Sequence, residues 1–212
     1  MRALGLAVAL AACGLLTGSC ASLSEEECLA GNWDGIGYSD GANGAGTGRF
    51  GDHVKACEKY KVVPDQAVYM TGRARGLAVY CQPGKGFQVG RQGSSYGGVC
   101  PASLEGGFLG GYNDGRIVWD AQQRYDRAQS AINEAQQRAD DIETRMREQE
   151  TLLADNTVSD DEKKAIRERL KALRDDRYSA GEDRRQAIDA RDRADRDLSR
   201  LRDRFAPIYG GW

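Results

Sequence analysis

The pattern of apolar and polar positions changes twice along the chain. Residues 3–16 form an almost unbroken apolar run, residues 21–116 are mixed and rich in glycine, and residues from 117 onward follow a regular helical period. We therefore expect a mainly α-helical protein, with a small disulfide-stapled helical domain that carries Gly-x-x-x-Gly helix faces, followed by a long antiparallel coiled-coil hairpin. The predicted boundaries are 1–19 (signal peptide), 20–116 (four-cysteine, glycine-rich domain), 117–206 (hairpin) and 207–212 (tail).

The period of the second half is a heptad repeat. Apolar residues recur at alternating steps of three and four from Val118 to Leu153, and again from Ile166 to Phe205. This spacing is typical of coiled-coil helices. Between the two runs, Ser159 followed by Glu162 is the signature of a capping box that begins the second helix. Because the loop between the two helices is short, we expect them to run antiparallel.

The second helix carries arginine in one of its two seam rows, at Arg177, Arg184 and Arg191. One hypothesis is a self-contained hairpin in which the arginine stems lie along the seam. The other is a seam completed by a third helix, from a protein partner or from another copy of the chain. Pro207 is expected to end the second helix. The tail is then expected to fold back on the base of the hairpin, or to present Trp212 to a partner.

Glycines spaced four apart mark three candidate helices in the glycine-rich domain. Glycine inside a helix costs about 1 kcal/mol relative to alanine, so we interpret these rows as faces where helices cross closely. The motif Gly-Tyr-x-Asp-Gly occurs in two of the rows, and Asp40 and Asp114 are expected to cap or pair nearby; the alternative is two ordinary Asp-Gly turns. The packing glycines are Gly37, Gly41, Gly72, Gly76, Gly107, Gly111 and Gly115.

Local signals set the limits of these helices. Ser24 and Glu27 form another capping-box pattern, which begins a single predicted helix that continues through Tyr38. Asp65 marks the start of the next helix. The stretch 82–99 shows no strong helical pattern and is expected to be a glycine-rich loop.

The apolar run at the N-terminus is typical of a secretory signal peptide. Small residues and Cys20 follow it, which predicts a lipoprotein that is acylated, for example with palmitate, at Cys20. Cys13 fits the lipobox pattern better residue by residue but leaves a short signal, and cleavage without a lipid is the third alternative. We favour Cys20 because its use leaves an even number of cysteines. Ser22 behind it fits retention at the outer membrane, on the periplasmic side.

Four cysteines then remain for an oxidising compartment. The sequence allows three pairings. We favour a first bridge between the first helix and a short helix that returns toward it after a glycine-rich turn. The second bridge would close the stretch 82–99. These disulfides are Cys28–Cys57 and Cys81–Cys100.

The sequence offers few candidates for catalysis. His53 is the only histidine. With Cys57, Cys81 and Cys100 it could form a zinc site, or it could act as the base for a Cys57 nucleophile. Secreted cysteines are more often disulfide-bonded, so we identify no catalytic residue and expect no enzyme, metal or cofactor. Charges of both signs are interleaved and the net charge is -2, so no nucleic-acid partner is expected.

Several motifs of the first half, taken in order, resemble an uncharacterised family of bacterial envelope lipoproteins, a domain of unknown function. The resemblance covers about Ser24 to Gly115 and implies an envelope location and a four-cysteine domain, without any activity. The motifs are Glu27-Cys28, GYSDG, GDHVKAC, VYMTGRARGLAVYC, GSSYGGVCP and GYNDG.

We therefore expect a periplasmic structural or partner-binding protein that is attached to the membrane through its N-terminal lipid. Its coiled coil would contact an envelope protein or a second copy of the chain. The alternative is a protein that binds a small ligand or cell-wall glycan in an aromatic groove. The residues of that groove would be Tyr38, Tyr69, Tyr80, Tyr96 and Tyr112.

Overall fold

The computed structural model describes residues 23–212, so the predicted signal peptide, Cys13 and Cys20 lie outside the described residues. Within that range the chain forms α-helices and no β-strand, which confirms the mainly helical fold. The helices are α1 (Glu25–Ala30), α2 (Trp33–Ala42), α3 (Arg49–Glu58), α4 (Gln66–Tyr80), α5 (Pro83–Arg91), α6 (Ala102–Ala154) and α7 (Asp160–Tyr209).

The described part of the chain divides into two compact units, the first ending at Val79 and the second spanning Tyr80–Trp212. The first contains α1 to α3 and nearly all of α4, and the second contains α5, α6 and α7. The change of composition after residue 116 lies inside α6, which continues through it without a break. The last part of the glycine-rich sequence therefore belongs to the same unit as the hairpin.

α1 and α2 are separate helices, so the prediction of one continuous helix was wrong. Gly31 adopts a left-handed conformation with φ 63° and ends α1, as glycine does readily. Asn32 then caps α2, because its side chain accepts a hydrogen bond from the N–H of Gly35. The capping box of Ser24 and Glu27 is confirmed at the start of α1.

The core of the first unit surrounds a disulfide. Cys28 of α1 is bonded to Cys57 of α3, and neither residue is exposed. This buried bridge links α1, the shortest helix of the unit, covalently to α3. The other buried apolar side chains of this core are Leu23, Trp33 and Tyr69.

α5 is a helix that the sequence did not predict. The stretch 82–99 was expected to be a loop, and this prediction was wrong for Pro83–Arg91. A proline in the first turn suits a helix start, because the N–H that it lacks would have no partner there. α5 packs against the beginning of α6. A buried cluster joins α5 with both long helices through Phe87, Val118 and Phe205.

α6 and α7 form the predicted antiparallel hairpin. Its seam is buried along both helices, and the capping box of Ser159 and Glu162 is confirmed at the start of α7. The apolar cluster nearest the connecting loop contains Ile142, Met146, Ile166, Leu170, Leu173 and Ala180.

α7 continues through Pro207 to Tyr209, so the prediction that Pro207 ends the helix was wrong. Proline removes one backbone hydrogen bond from a helix. Aromatic contacts hold the end of α7 and the residues after it in place. The ring of Tyr209 stacks on that of Phe87 with a centroid distance of 4.3 Å, and the ring centroid of Trp212 lies 5.9 Å from that of Phe87.

Candidate functional site

Asp40, in the first Gly-Tyr-x-Asp-Gly motif, joins three helices of the first unit. Its Oδ2 accepts a hydrogen bond from the hydroxyl of Tyr69 in α4 at 2.7 Å. The same oxygen lies 2.6 Å from Nε2 of His53 in α3. Nε of Arg49 lies 3.9 Å from the other carboxylate oxygen. One carboxylate of α2 therefore binds side chains of α3 and α4.

Two side chains of this Asp40 cluster are buried, and burial raises the pKa of one of them, Tyr69. Tyr69 is fully buried and His53 is only 1% exposed. Desolvation, followed by the hydrogen bond to Asp40, raises the pKa of Tyr69 far above its ordinary value, so the hydroxyl remains a donor well into the alkaline range. Arg73 is also buried and donates two hydrogen bonds to the carbonyl of Ala45. Arg73 thereby fixes the segment that follows α2.

The Asp40 cluster has residue types used in acid–base catalysis, but its geometry suits a structural clamp. His53 and Tyr69 both direct their polar atoms at one carboxylate, and both are closed to solvent. Cys57, the candidate nucleophile, is bonded to Cys28 and so has no thiolate to offer. The cluster therefore joins α2, α3 and α4 through one carboxylate.

The two disulfides have the pairing favoured from the sequence. Cys81 is bonded to Cys100 across 19 positions, with a Cα–Cα distance of 5.7 Å, and this bridge spans α5. Because Cys57 is also bonded, three cysteines of the zinc set considered from the sequence have no free thiolate. In the part of the chain that the structure describes, no group of three or more potential metal ligands comes together.

Asp114, in the second Gly-Tyr-x-Asp-Gly motif, has a similar role in the second unit. It lies in α6 and accepts a hydrogen bond from the hydroxyl of Tyr209, in the last turn of α7, at 2.7 Å. Desolvation and this hydrogen bond raise the pKa of Tyr209 to about 12. In both motifs the aspartate therefore accepts a hydrogen bond from a tyrosine that another helix supplies.

The glycines of the first motif lie where α2 crosses α4. A methyl group on any of four glycines, two in each helix, would overlap a carbonyl oxygen of the other helix. Only hydrogen fits at these positions, because backbone atoms cannot move aside as the end of a side chain can. The overlaps would be Gly37 with Tyr69, Gly41 with Arg73, Gly72 with Asp34 and Gly76 with Tyr38.

The glycines of the second motif form an equivalent crossing between α5 and α6. Gly111 and Gly115 of α6 face Gly86 and Gly90 of α5, and a methyl group on any of them would overlap a carbonyl oxygen. Sequence reasoning missed the pair in α5, although its spacing of four was a visible signal. Gly107 was assigned wrongly to this packing row: it is exposed, and an added Cβ would meet only the side chain of Pro83, at an ordinary 3.5 Å.

The tyrosines considered for a ligand groove are divided between the two units, with Tyr38 and Tyr69 in the first. In the second unit, Tyr80 and Tyr96 pack on Phe108 with ring centroids 5.1 and 4.7 Å away. Burial raises the pKa of both tyrosines. Since Tyr69 and Tyr80 are buried, they present no surface to a ligand.

The hairpin has two long exposed faces, one on each side of its seam. Arg138 and Asp183 form an ion pair at 3.0 Å on the first face. Arg177 and Glu143 form one at 3.5 Å on the second face. All four side chains are about half exposed, so the pairs add little stability, but they show which residues of α6 and α7 lie at the same level. A groove of about 480 Å³ lies over Ala128, Ala131, Ala187, Ala190 and Ala194.

The arginine row of α7 lies at the edge of the seam. The head of Arg177 reaches Glu143 across the hairpin, and that of Arg191 reaches Asp192. Arg184 is exposed. These positions agree with arginine stems that lie along the seam and heads that reach water or acidic groups.

Comparison with known proteins identifies the family to which the first half is similar. Residues 32–117 match the model of the family described as "Protein of unknown function (DUF2799)". The match begins at the cap of α2 and ends within α6, so it includes both glycine crossings, Asp40 and Asp114. No curated protein and no solved structure matches the chain. Among the described residues, no helix has the length and apolar character needed to cross a membrane.

Proposed function

We propose that the chain is a lipid-anchored structural or partner-binding protein of the bacterial envelope. In this proposal, acylated Cys20 attaches the N-terminus to the periplasmic side of the outer membrane. The signal-like run before Cys20 supports the anchor. Two disulfides support an oxidising compartment, because such bonds are rare where the cell keeps thiols reduced.

The observation that carries the proposal is the hairpin on its clamped base. α6 has 53 residues, which corresponds to a length of about 80 Å at a rise of 1.5 Å per residue. At its start, a glycine crossing, a disulfide and the Asp114 hydrogen bond hold it against the rest of the second unit. A long helix pair with exposed charged faces suits contact with other macromolecules.

Substitution of the candidate lipidation sites tests the anchor. The Cys20→Ser protein should lose incorporation of labelled palmitate and leave the membrane fraction. The Cys13→Ser protein is the matched control and should keep both properties. Labelling that survives the loss of Cys20 but disappears with the loss of Cys13 would move the anchor to Cys13. Wild-type protein without label or membrane association would contradict the anchor itself.

Site-specific photo-crosslinking in intact envelopes tests partner binding. A crosslinking amino acid at Tyr178, a 70% exposed position of the hairpin, should give reproducible protein adducts. The same amino acid at Val63, which is 89% exposed in the first unit, is the control for random collision. Absence of adducts at Tyr178, combined with retention of the protein on cell-wall glycan, would favour a glycan-binding function instead.

A further inference from the structure

Along about half of its length, α7 carries basic residues on one side and acidic residues on the other sides. Between Lys164 and Arg191, the positions of one side carry only basic or uncharged residues, whereas every acidic residue lies on the remaining sides. We call this side the basic stripe; its charged members are exposed except for the partly buried Arg191. They are Lys164, Arg167, Lys171, Arg174, Arg177, Arg184, Arg185 and Arg191.

The neighbouring side of α6 has the opposite charge, and we call it the acidic stripe. It has one basic residue, Arg147, between positions 122 and 150. Hydrogen bonds from Gln122 to Asp126 and from Gln136 to Asp140 orient two of its carboxylates along the helix. The acidic members are Asp126, Asp140, Glu143 and Glu150.

Both stripes belong to one face of the hairpin. The ion pair between Arg177 of the basic stripe and Glu143 of the acidic stripe joins them across the seam. This face is therefore positive along α7 and negative along α6. Such a surface is complementary to itself after a half-turn about an axis parallel to the hairpin, because the half-turn brings each α6 opposite an α7.

Gly181 lies in the basic stripe and leaves room for another chain to approach the helix closely. It is the only glycine between Gly115 and the end of α7, and a Cβ added there would meet no atom within 4 Å. Glycine within a helix costs about 1 kcal/mol relative to alanine, and at both crossings the chain uses it where another backbone approaches. At Gly181 no part of the described chain approaches, and the neighbouring Tyr178 is 70% exposed.

We propose that this face binds a second copy of the chain, in a two-fold dimer of hairpins whose connecting loops lie at the same end. Each basic stripe then meets the acidic stripe of the other copy, whereas the opposite orientation would place like charges together. Ion pairs Arg177–Glu143 and Arg138–Asp183 place Gly181 at the level of Asp140. The second copy's Asp140 therefore faces Gly181. This inference rests on the proposed partner-binding function and names its partner.

The dimer is held mainly by electrostatic attraction. Its interface contains exposed arginines and carboxylates, and most large apolar side chains of each hairpin lie in its own seam, with Tyr178 an exposed exception in the basic stripe. Added salt screens such pairs, because the Debye length falls from about 10 Å at 0.1 M to about 3 Å at 1 M. Self-association should therefore weaken as salt is added.

Complementary charge reversal tests the dimer. The basic-stripe variant carries Arg174→Glu and Arg185→Glu, and the acidic-stripe variant carries Asp140→Lys and Glu150→Lys. Each variant alone should self-associate at least about ten-fold more weakly than the wild type, whereas an equimolar mixture should regain wild-type association as a heterodimer. Sedimentation equilibrium of the purified full chain, in density-matched detergent, measures both. Circular dichroism checks that each variant remains helical.

Matched variants separate this face from general charge effects. Asp175→Lys with Glu182→Lys changes the same amount of charge on the outer side of α7 and should leave self-association intact. Gly181→Leu should weaken it, whereas Ser179→Leu, on the opposite face, should not. A wild-type chain that stays monomeric at low salt, or a mixture that fails to restore association, overturns the inference. If Tyr178 then crosslinks to a different protein, the proposed function stands and its partner is not a second copy.

Discussion

The hydroxyl of Tyr209 donates a hydrogen bond to Asp114 at 2.7 Å, although 95 positions of sequence separate the two residues. The ring of Tyr209 also stacks on Phe87 of α5 at 4.3 Å. A single side chain at the end of α7 thus contacts α5 and α6 together. The closing residues of the chain therefore complete the base of the hairpin.

Removal of the Tyr209 hydroxyl should destabilise the second unit while the ring remains in place. A hydrogen bond to a charged acceptor contributes about 1.5–3 kcal/mol to stability. Because the bond from Tyr209 to Asp114 is only partly buried, we expect the free energy of unfolding of the Tyr209→Phe protein to fall by an amount near the lower end of that range. Urea denaturation followed by circular dichroism measures the change. Tyr178→Phe is the control, since this tyrosine is 70% exposed. Equal stability of both variants would show that the hydrogen bond adds nothing.

The raised pKa of Tyr209 predicts a loss of stability at alkaline pH. The folded state holds the tyrosine proton up to a pKa of about 12, whereas the unfolded chain releases it near pH 10. The contribution to the free energy of unfolding is therefore complete below about pH 10 and is lost as the pH rises toward 12. Tyrosinate absorbance of the wild type and the Tyr209→Phe protein measures this. Disappearance of a late-titrating component in the variant is expected, and an unchanged curve would contradict the assignment.

The adjacent glycines Gly110 and Gly111 allow a matched test of the helix crossing. A methyl group on Gly111 would overlap the carbonyl oxygen of Pro83, whereas one on Gly110 would meet open space. Gly111→Ala should destabilise by about 1–3 kcal/mol through overpacking, and Gly110→Ala should stabilise by up to about 1 kcal/mol through helix propensity. Thermal melting of the two variants gives the comparison. The same sign of change at both positions would show that the crossing tolerates a side chain.

Removal of the Cys81–Cys100 bridge should destabilise the second unit. The bridge closes a loop across 19 positions, which is worth about 3 kcal/mol in the chain-entropy model. A Cys81→Ser/Cys100→Ser protein, unfolded in urea beside the wild type, measures the loss. Non-reducing peptide mapping checks the pairing first, because a peptide that links Cys57 to Cys81 would contradict both bridges.

The hairpin and its capped start could be predicted because their signals are local and repeated. A heptad pattern that continues over many turns specifies both the helices and their seam. The capping box of Ser159 and Glu162 needs only residues three apart. No distant part of the chain is required to recognise either feature.

α5 could not be recognised in the same way, because its stability depends on α6. Its sequence of nine residues contains three glycines, each of which lowers helix propensity. Contact with Gly111 and Gly115 compensates for that weakness, since bare backbone on both helices permits close packing. The sequence predicts α5 only when the glycine pairs of α5 and α6 are considered together.

The tyrosines that donate hydrogen bonds to Asp40 and Asp114 could not be predicted either, for a different reason. The motif shows that two aspartates are repeated, but each hydrogen-bond donor lies far along the chain. Tyr69 is 29 positions from Asp40, and Tyr209 is 95 positions from Asp114. Only the packing of the helices selects these tyrosines from the others.

The uninterrupted course of α6 has a mechanical consequence. From Arg116 to Ala154 the helix contains neither glycine nor proline, so it has no built-in hinge of the usual kinds. A sideways force on the connecting loop would therefore travel down the helix as a bending moment and reach the crossing with α5. There the disulfide that spans α5 and the hydrogen bond of the Tyr209 hydroxyl would resist rotation of α6 about the crossing. The hairpin would therefore behave as a lever that is fixed at its base.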